Sequence, residues 1–110
     1  MIHERYQKAA EYWQHDYRVR RFYAPLARPT KVATAVLALS ATQSLPYKRE
    51  RIDALKPPPR TLEEGGDCED LAVLLVAGAL SIGLQGIVVF MPMPGPQDHV
   101  SAQLRVGNNF

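Results

Sequence analysis

A single cysteine, Cys68, occurs in 110 residues, so an intramolecular disulfide is excluded, as is a zinc site of the CxxC type. No run of 18 apolar residues is present, which argues against a membrane-spanning helix. The first 20 residues carry Glu4, Arg5, Lys8, Glu11, Asp16, Arg18 and Arg20, with no apolar core of the secretory type. No signal peptide is therefore visible, and a cytoplasmic location is the default expectation. Internal repeats and low-complexity segments are also absent.

What is present is ordinary for a globular chain: 46% hydrophobic and 22% charged residues, enough for one modest core over residues 1–110. Net charge is only +2, but it is unevenly spread. Residues 1–60 hold 12 Lys/Arg against 5 Asp/Glu, and residues 61–110 hold 1 against 6. The basic side chains (Arg18, Arg20, Arg21, Arg28, Lys31, Lys48, Arg49, Arg51) are scattered and follow no recognition-helix or RNA-motif pattern. Two complementary solvated faces are expected rather than a nucleic-acid surface.

The spacing of Tyr6, Ala9, Ala10, Trp13 and Tyr17 predicts an amphipathic helix over residues 2–17, docked by its aromatic side, with His3 and His15 on the polar side. Pro25 and Pro29 interrupt the chain, closing an N-terminal helical segment over residues 1–30. Thr30 is a candidate N-cap for a second helix, with Val32, Ala35, Val36 and Leu39 on its apolar face and an end near Ser44–Pro46. From Leu45 to Gly66 the prolines and glycines read as an extended, irregular connection. Asp67 then caps a third helix, with Asp70 completing a box-like start. Its run through Leu71, Leu74, Leu75, Ala79 and Leu80 is apolar almost all round, the mark of a buried central helix, and Gly83 stops it. Residues 85–91 and 99–106 read as strands, the second with Val100, Ala102, Leu104 and Val106 on one face, and Gly107–Asn109 as a turn. The expected fold is α+β, the buried helix packed on a small antiparallel sheet.

This order places Cys68 at the first turn of the buried helix, where unpaired N–H groups and the macrodipole favour an anion. Asp67, Glu69 and Asp70 oppose that effect if their charges face the sulfur, so a thiolate needs a cationic partner. His99 is the candidate. The helix travels roughly 20 Å away from Cys68 at 1.5 Å per residue, and the first strand returns about the same distance. His99 opens the next strand at the Cys68 end. Thiol and imidazole are the nucleophile and base of cysteine catalysis; a core cysteine and a surface histidine are the plainer alternative.

The stretch Thr61-Leu-Glu-Glu-Gly-Gly-Asp-Cys-Glu-Asp-Leu-Ala-Val-Leu-Leu resembles the nucleophile motif of the transglutaminase-like superfamily, most closely its bacterial cysteine-proteinase branch. The resemblance extends to Gln43-Ser-Leu-Pro-Tyr-Lys-Arg-Glu, to Lys56-Pro-Pro-Pro-Arg-Thr-Leu, to Ser81-Ile-Gly-Leu and to His99-Val-Ser-Ala-Gln-Leu, covering roughly residues 32–106. It implies a papain-like core over residues 31–110, a Cys68 nucleophile, a His99 base and acyl-thioester chemistry on peptide or side-chain amides. It also implies an oxyanion donor at Gln43, supported by Asp67 and the helix-start N–H groups, although a polar helix end is the plainer reading of Gln43. Some members of the branch bind calcium through an acidic run similar to Asp67, Glu69 and Asp70. Calcium asks for six or more oxygens, so capping and solvent exposure are the expected roles here, and no cofactor is expected.

The family's third residue, an Asp on the following strand, has no counterpart, since no Asp or Glu follows Asp98. The expectation is a core lacking its last strand, with no carboxylate of this chain on His99. Asn108 and Asn109 are chemically able to orient the imidazole but are expected at the far end, and Asp98 is expected to face away by strand alternation. Loss of an orienting carboxylate costs on the order of 10⁴-fold in rate. The alternative function is therefore a weak or inactive module of a larger assembly, such as a phage particle, with a partner adding a strand at the sheet edge after Val106.

Overall fold

The computed structural model describes residues 2–48, 55–91 and 99–107, with the side chains of Met91 and His99 outside the described set. In chain order the elements are α1 (Glu4–Trp13), α2 (Tyr17–Tyr23), a 3-10 turn (Ala24–Leu26), α3 (Lys31–Gln43), α4 (Pro58–Glu64), α5 (Cys68–Ser81), β1 (Gln85–Met91) and β2 (His99–Arg105). β1 and β2 pair antiparallel from Gln85↔Arg105 to Met91↔His99, and α5 packs across them. This is an α+β fold around one buried helix. No helix among the described residues is long and apolar enough to cross a membrane.

The centre follows from the start of α5. Asp67 accepts from the Glu69 and Asp70 N–H groups, both at 3.1 Å, while the Asp70 carboxylate accepts from the Asp67 N–H at 3.2 Å, which completes the expected capping box. Every residue from Ala72 to Ala79 is buried, so α5 is enclosed by α1, α2, α3, α4 and the sheet. Gly83, at φ +87°, ends it in a conformation that a side chain would strain.

Four expectations are corrected. The single helix over residues 2–17 is two, because Asp16 accepts from the Arg18 and Val19 N–H groups and starts α2; Tyr17 is 70% exposed. His3 is not a surface residue of the polar side: its Nδ1 accepts from the Tyr6 N–H, capping α1, and its ring stacks on Tyr6 at 3.9 Å. The connection from Leu45 to Gly66 contains α4, which begins on Pro58 and Pro59, positions where a missing N–H costs nothing. On α3 the expected apolar face is turned out, with Val32 56%, Val36 60% and Leu39 41% exposed. Thr34, Ala38 and Thr42 are buried instead. Their hydroxyls donate to the carbonyls one turn back, Thr34 to Thr30 and Thr42 to Ala38, so they enter the core already satisfied. Tyr23, fully buried, then donates its hydroxyl to Thr42 at 2.6 Å.

The N-terminal segment covers the outer edge of β1. Ile2 bridges Val89, the His3 N–H donates to the Val88 carbonyl, and the Gln7 amide accepts from Val88 N–H while donating to the Gly86 carbonyl. β2 has no second strand neighbour among the described residues.

Candidate active site around Cys68

Cys68 is the first residue of α5, and Leu71, Ala72 and Leu75 follow it at i+3, i+4 and i+7, which places all four on one stripe. That stripe floors a groove of about 170 Å³. Leu39, Thr42 and Gln43 from the end of α3 form one wall, and Val100, Ser101 and Ala102 from β2 form the other. The structure thus brings Cys68 and Gln43 to one groove, with the exposed Gln43 side chain at its rim.

β2 opens at the Cys68 end of α5: Val100, the residue after His99, lines the same groove as Cys68. The His99 backbone pairs with Met91; its imidazole lies outside the described residues, as do Asp98, Asn108 and Asn109. Burial pushes the Cys68 thiol up from its ordinary range. The Val100 backbone pulls it down, the Asp67 and Glu69 charges push it up, and the Glu69 backbone pulls it down again. The balance keeps the thiol protonated at neutral pH unless a cation joins it. The start of the helix alone does not make a thiolate here.

The three neighbouring carboxylates have separate tasks. Asp67 is the N-cap, Glu69 accepts from the Tyr6 hydroxyl at 2.9 Å, and Asp70 accepts from the backbone N–H groups of Lys56 and Asp67. Asp67 and Asp70 stand together as the reciprocal members of the capping box, and no cluster of three metal-ligating side chains occurs among the described residues. Asp67 bears on the oxyanion expectation, because as the cap it occupies the Glu69 and Asp70 N–H groups. Of the first-turn donors, the Cys68 N–H is left without a protein partner among the described residues.

Asp70 is 1% exposed, and burial pushes its carboxyl up to about 6 despite the two N–H donors that pull it down. Its position anchors the Lys56 segment to the Cys68 turn. The glycines before it are packed just as closely. A Cβ on Gly66 would meet the Asp70 carboxylate at 2.6 Å, and one on Gly65, at φ +77°, would run into the Pro46 carbonyl. Sequence reasoning missed Leu39, Thr42, Leu71 and Leu75 as groove residues; the i, i+3, i+4, i+7 spacing behind Cys68 was the available signal.

A scan against protein-family models, a search of curated proteins and a search of solved structures each returned no match.

Proposed function

We propose that the chain is a cysteine hydrolase or acyltransferase on the transglutaminase-like, papain-like plan, acting on peptide or side-chain amide bonds. The observation that carries this reading is the common groove of Cys68, Gln43 and Val100 at the start of the buried helix. The resemblance of the Gly-Asp-Cys-Glu-Asp run supports it.

In this reading His99 takes the Cys68 proton as the sulfur attacks the carbonyl carbon. The oxyanion accepts from the Cys68 N–H and the Gln43 amide. The C–N bond breaks as the imidazolium returns the proton to the leaving amine, leaving a thioester on Cys68. Water, deprotonated by His99, then gives a carboxylic acid and the free thiol; an amine in place of water gives acyl transfer. An imidazolium beside the sulfur supplies the cation that the raised thiol requires.

The test is the pH profile of Cys68 alkylation by iodoacetamide in the wild type and in His99→Gln. The expected result is a wild-type inflection well below that of free cysteine, ~8.5, which moves above it in the variant. A single inflection above ~8.5 in both proteins overturns the enzyme reading. That second result would favour the alternative, a module without turnover in a larger assembly such as a phage particle. The upward push on the Cys68 thiol and the lack of a second strand neighbour on β2 among the described residues favour it. A partner strand added along β2, toward the edge after Val106, is its expected contact.

A further inference from the structure

We infer that the groove beside Cys68 is an acyl-side specificity pocket, which takes the aliphatic side chain of the residue whose carbonyl the thiol attacks. The inference rests on the acyl-transfer reading above and adds the class of substrate. The groove floor is Leu71, Ala72 and Leu75, on the same stripe as the nucleophile, and Leu39 closes one side. Its polar groups, Gln43, Thr42 and Ser101, belong to the α3 and β2 walls rather than to the floor, and among the described residues no charged side chain lines it.

Distance selects the residue. One helical turn beyond Cys68 brings Leu71 and Ala72 within about 5 Å along the axis. A side chain leaving the carbonyl under attack spans about that length, so its methyl groups meet Leu71 and Ala72 while the carbonyl stands over the sulfur. Size selects the class. A cavity of roughly 150 Å³ lined by aliphatic groups holds a benzene ring, so about 170 Å³ admits a side chain of leucine or phenylalanine size. A carboxylate or ammonium there would lose water without gaining a charged partner among the described residues.

The test uses two covalent probes on the full chain, acetyl-Gly-Gly-Leu and acetyl-Gly-Gly-Gly chloromethyl ketones, with labelling of Cys68 followed by mass spectrometry. The sulfur displaces chloride, so labelling reports binding and thiol access without requiring turnover. Hydrolysis of the aminocoumarin amide of acetyl-Gly-Gly-Leu is measured in parallel. An aliphatic group in a matched pocket is worth ~10- to 200-fold; the leucine probe is expected to label at least ~10-fold faster than the glycine probe. Leu39→Glu, at an exposed wall position, is expected to bring that ratio near one, and Leu39→Ala to reduce it by less. Equal labelling by both probes in the wild type overturns the pocket. Selective labelling without hydrolysis keeps the pocket and removes the hydrolase reading, whereas hydrolysis without selective labelling does the reverse. Equal labelling and no hydrolysis sinks both.

Discussion

Asp70 shows how one residue can be indispensable to local structure and still cost the molecule stability at neutral pH. Its carboxylate holds the N–H groups of Lys56 and Asp67, yet burial raises it from 3.8 to about 6. Between those values the folded chain binds more protons than the unfolded one, so this group's contribution to stability falls as pH rises from about 4 to about 6 and is flat above. Urea midpoints measured across that window should show the decline, and Asp70→Asn should remove it. Tyr23 gives a second residue-scale prediction. A Cβ on Gly78 would run into the Cδ2, Cε2 and Cζ atoms of the Tyr23 ring. Gly78→Ala ought to destabilise the protein by ~1–3 kcal/mol through overpacking, although alanine is the better helix former by about 1 kcal/mol. Chemical denaturation reads the sign directly.

At the scale of the element, α5 owes its start to a cap that also charges the surroundings of Cys68. Asp67→Asn retains an oxygen for the Glu69 and Asp70 N–H groups and removes one of the charges that push the thiol up. The variant should keep its stability within about 1 kcal/mol while the Cys68 alkylation profile moves to lower pH. Asp67→Ala loses the cap as well and should cost ~1 kcal/mol. The β1 edge has a comparable device in Gln7, whose amide occupies the Val88 N–H and Gly86 carbonyl in the manner of a paired strand. In Gln7→Ala the Val88 amide should exchange with deuterium faster, its neighbours on the β2 side unchanged.

Across the whole molecule, the first 30 residues are part of the core rather than an appendage to it. Tyr6, Ala10, Val19 and Tyr23 belong to the same buried cluster as α5, and the Tyr6 hydroxyl reaches Glu69 beside Cys68. Residues 31–110 expressed alone should therefore lose the cooperative unfolding transition of the full chain; a sharp transition in that fragment would show the segment to be dispensable.

The α5 start, its stop at Gly83 and the two strands were legible in the sequence because local chemistry decides them: a capping carboxylate, a glycine at positive φ, and runs of β-branched residues between turns. So was the return of the chain to Cys68, which follows from helix rise and strand length, and which the groove lined by both Cys68 and Val100 bears out. The face of α3 was not legible, since apolarity favoured Val32, Val36 and Leu39. Burial went to Ala38 and to Thr34 and Thr42, whose hydroxyls bond backward along the helix, that of Thr42 also receiving Tyr23. Nor was the charge state of Cys68, which depends on how deeply α5 is enclosed and which N–H groups Asp67 has already taken. Short-range hydrogen bonding and periodicity determine where elements begin and end; only packing decides which side of each element meets the core and what dielectric surrounds a titrating group.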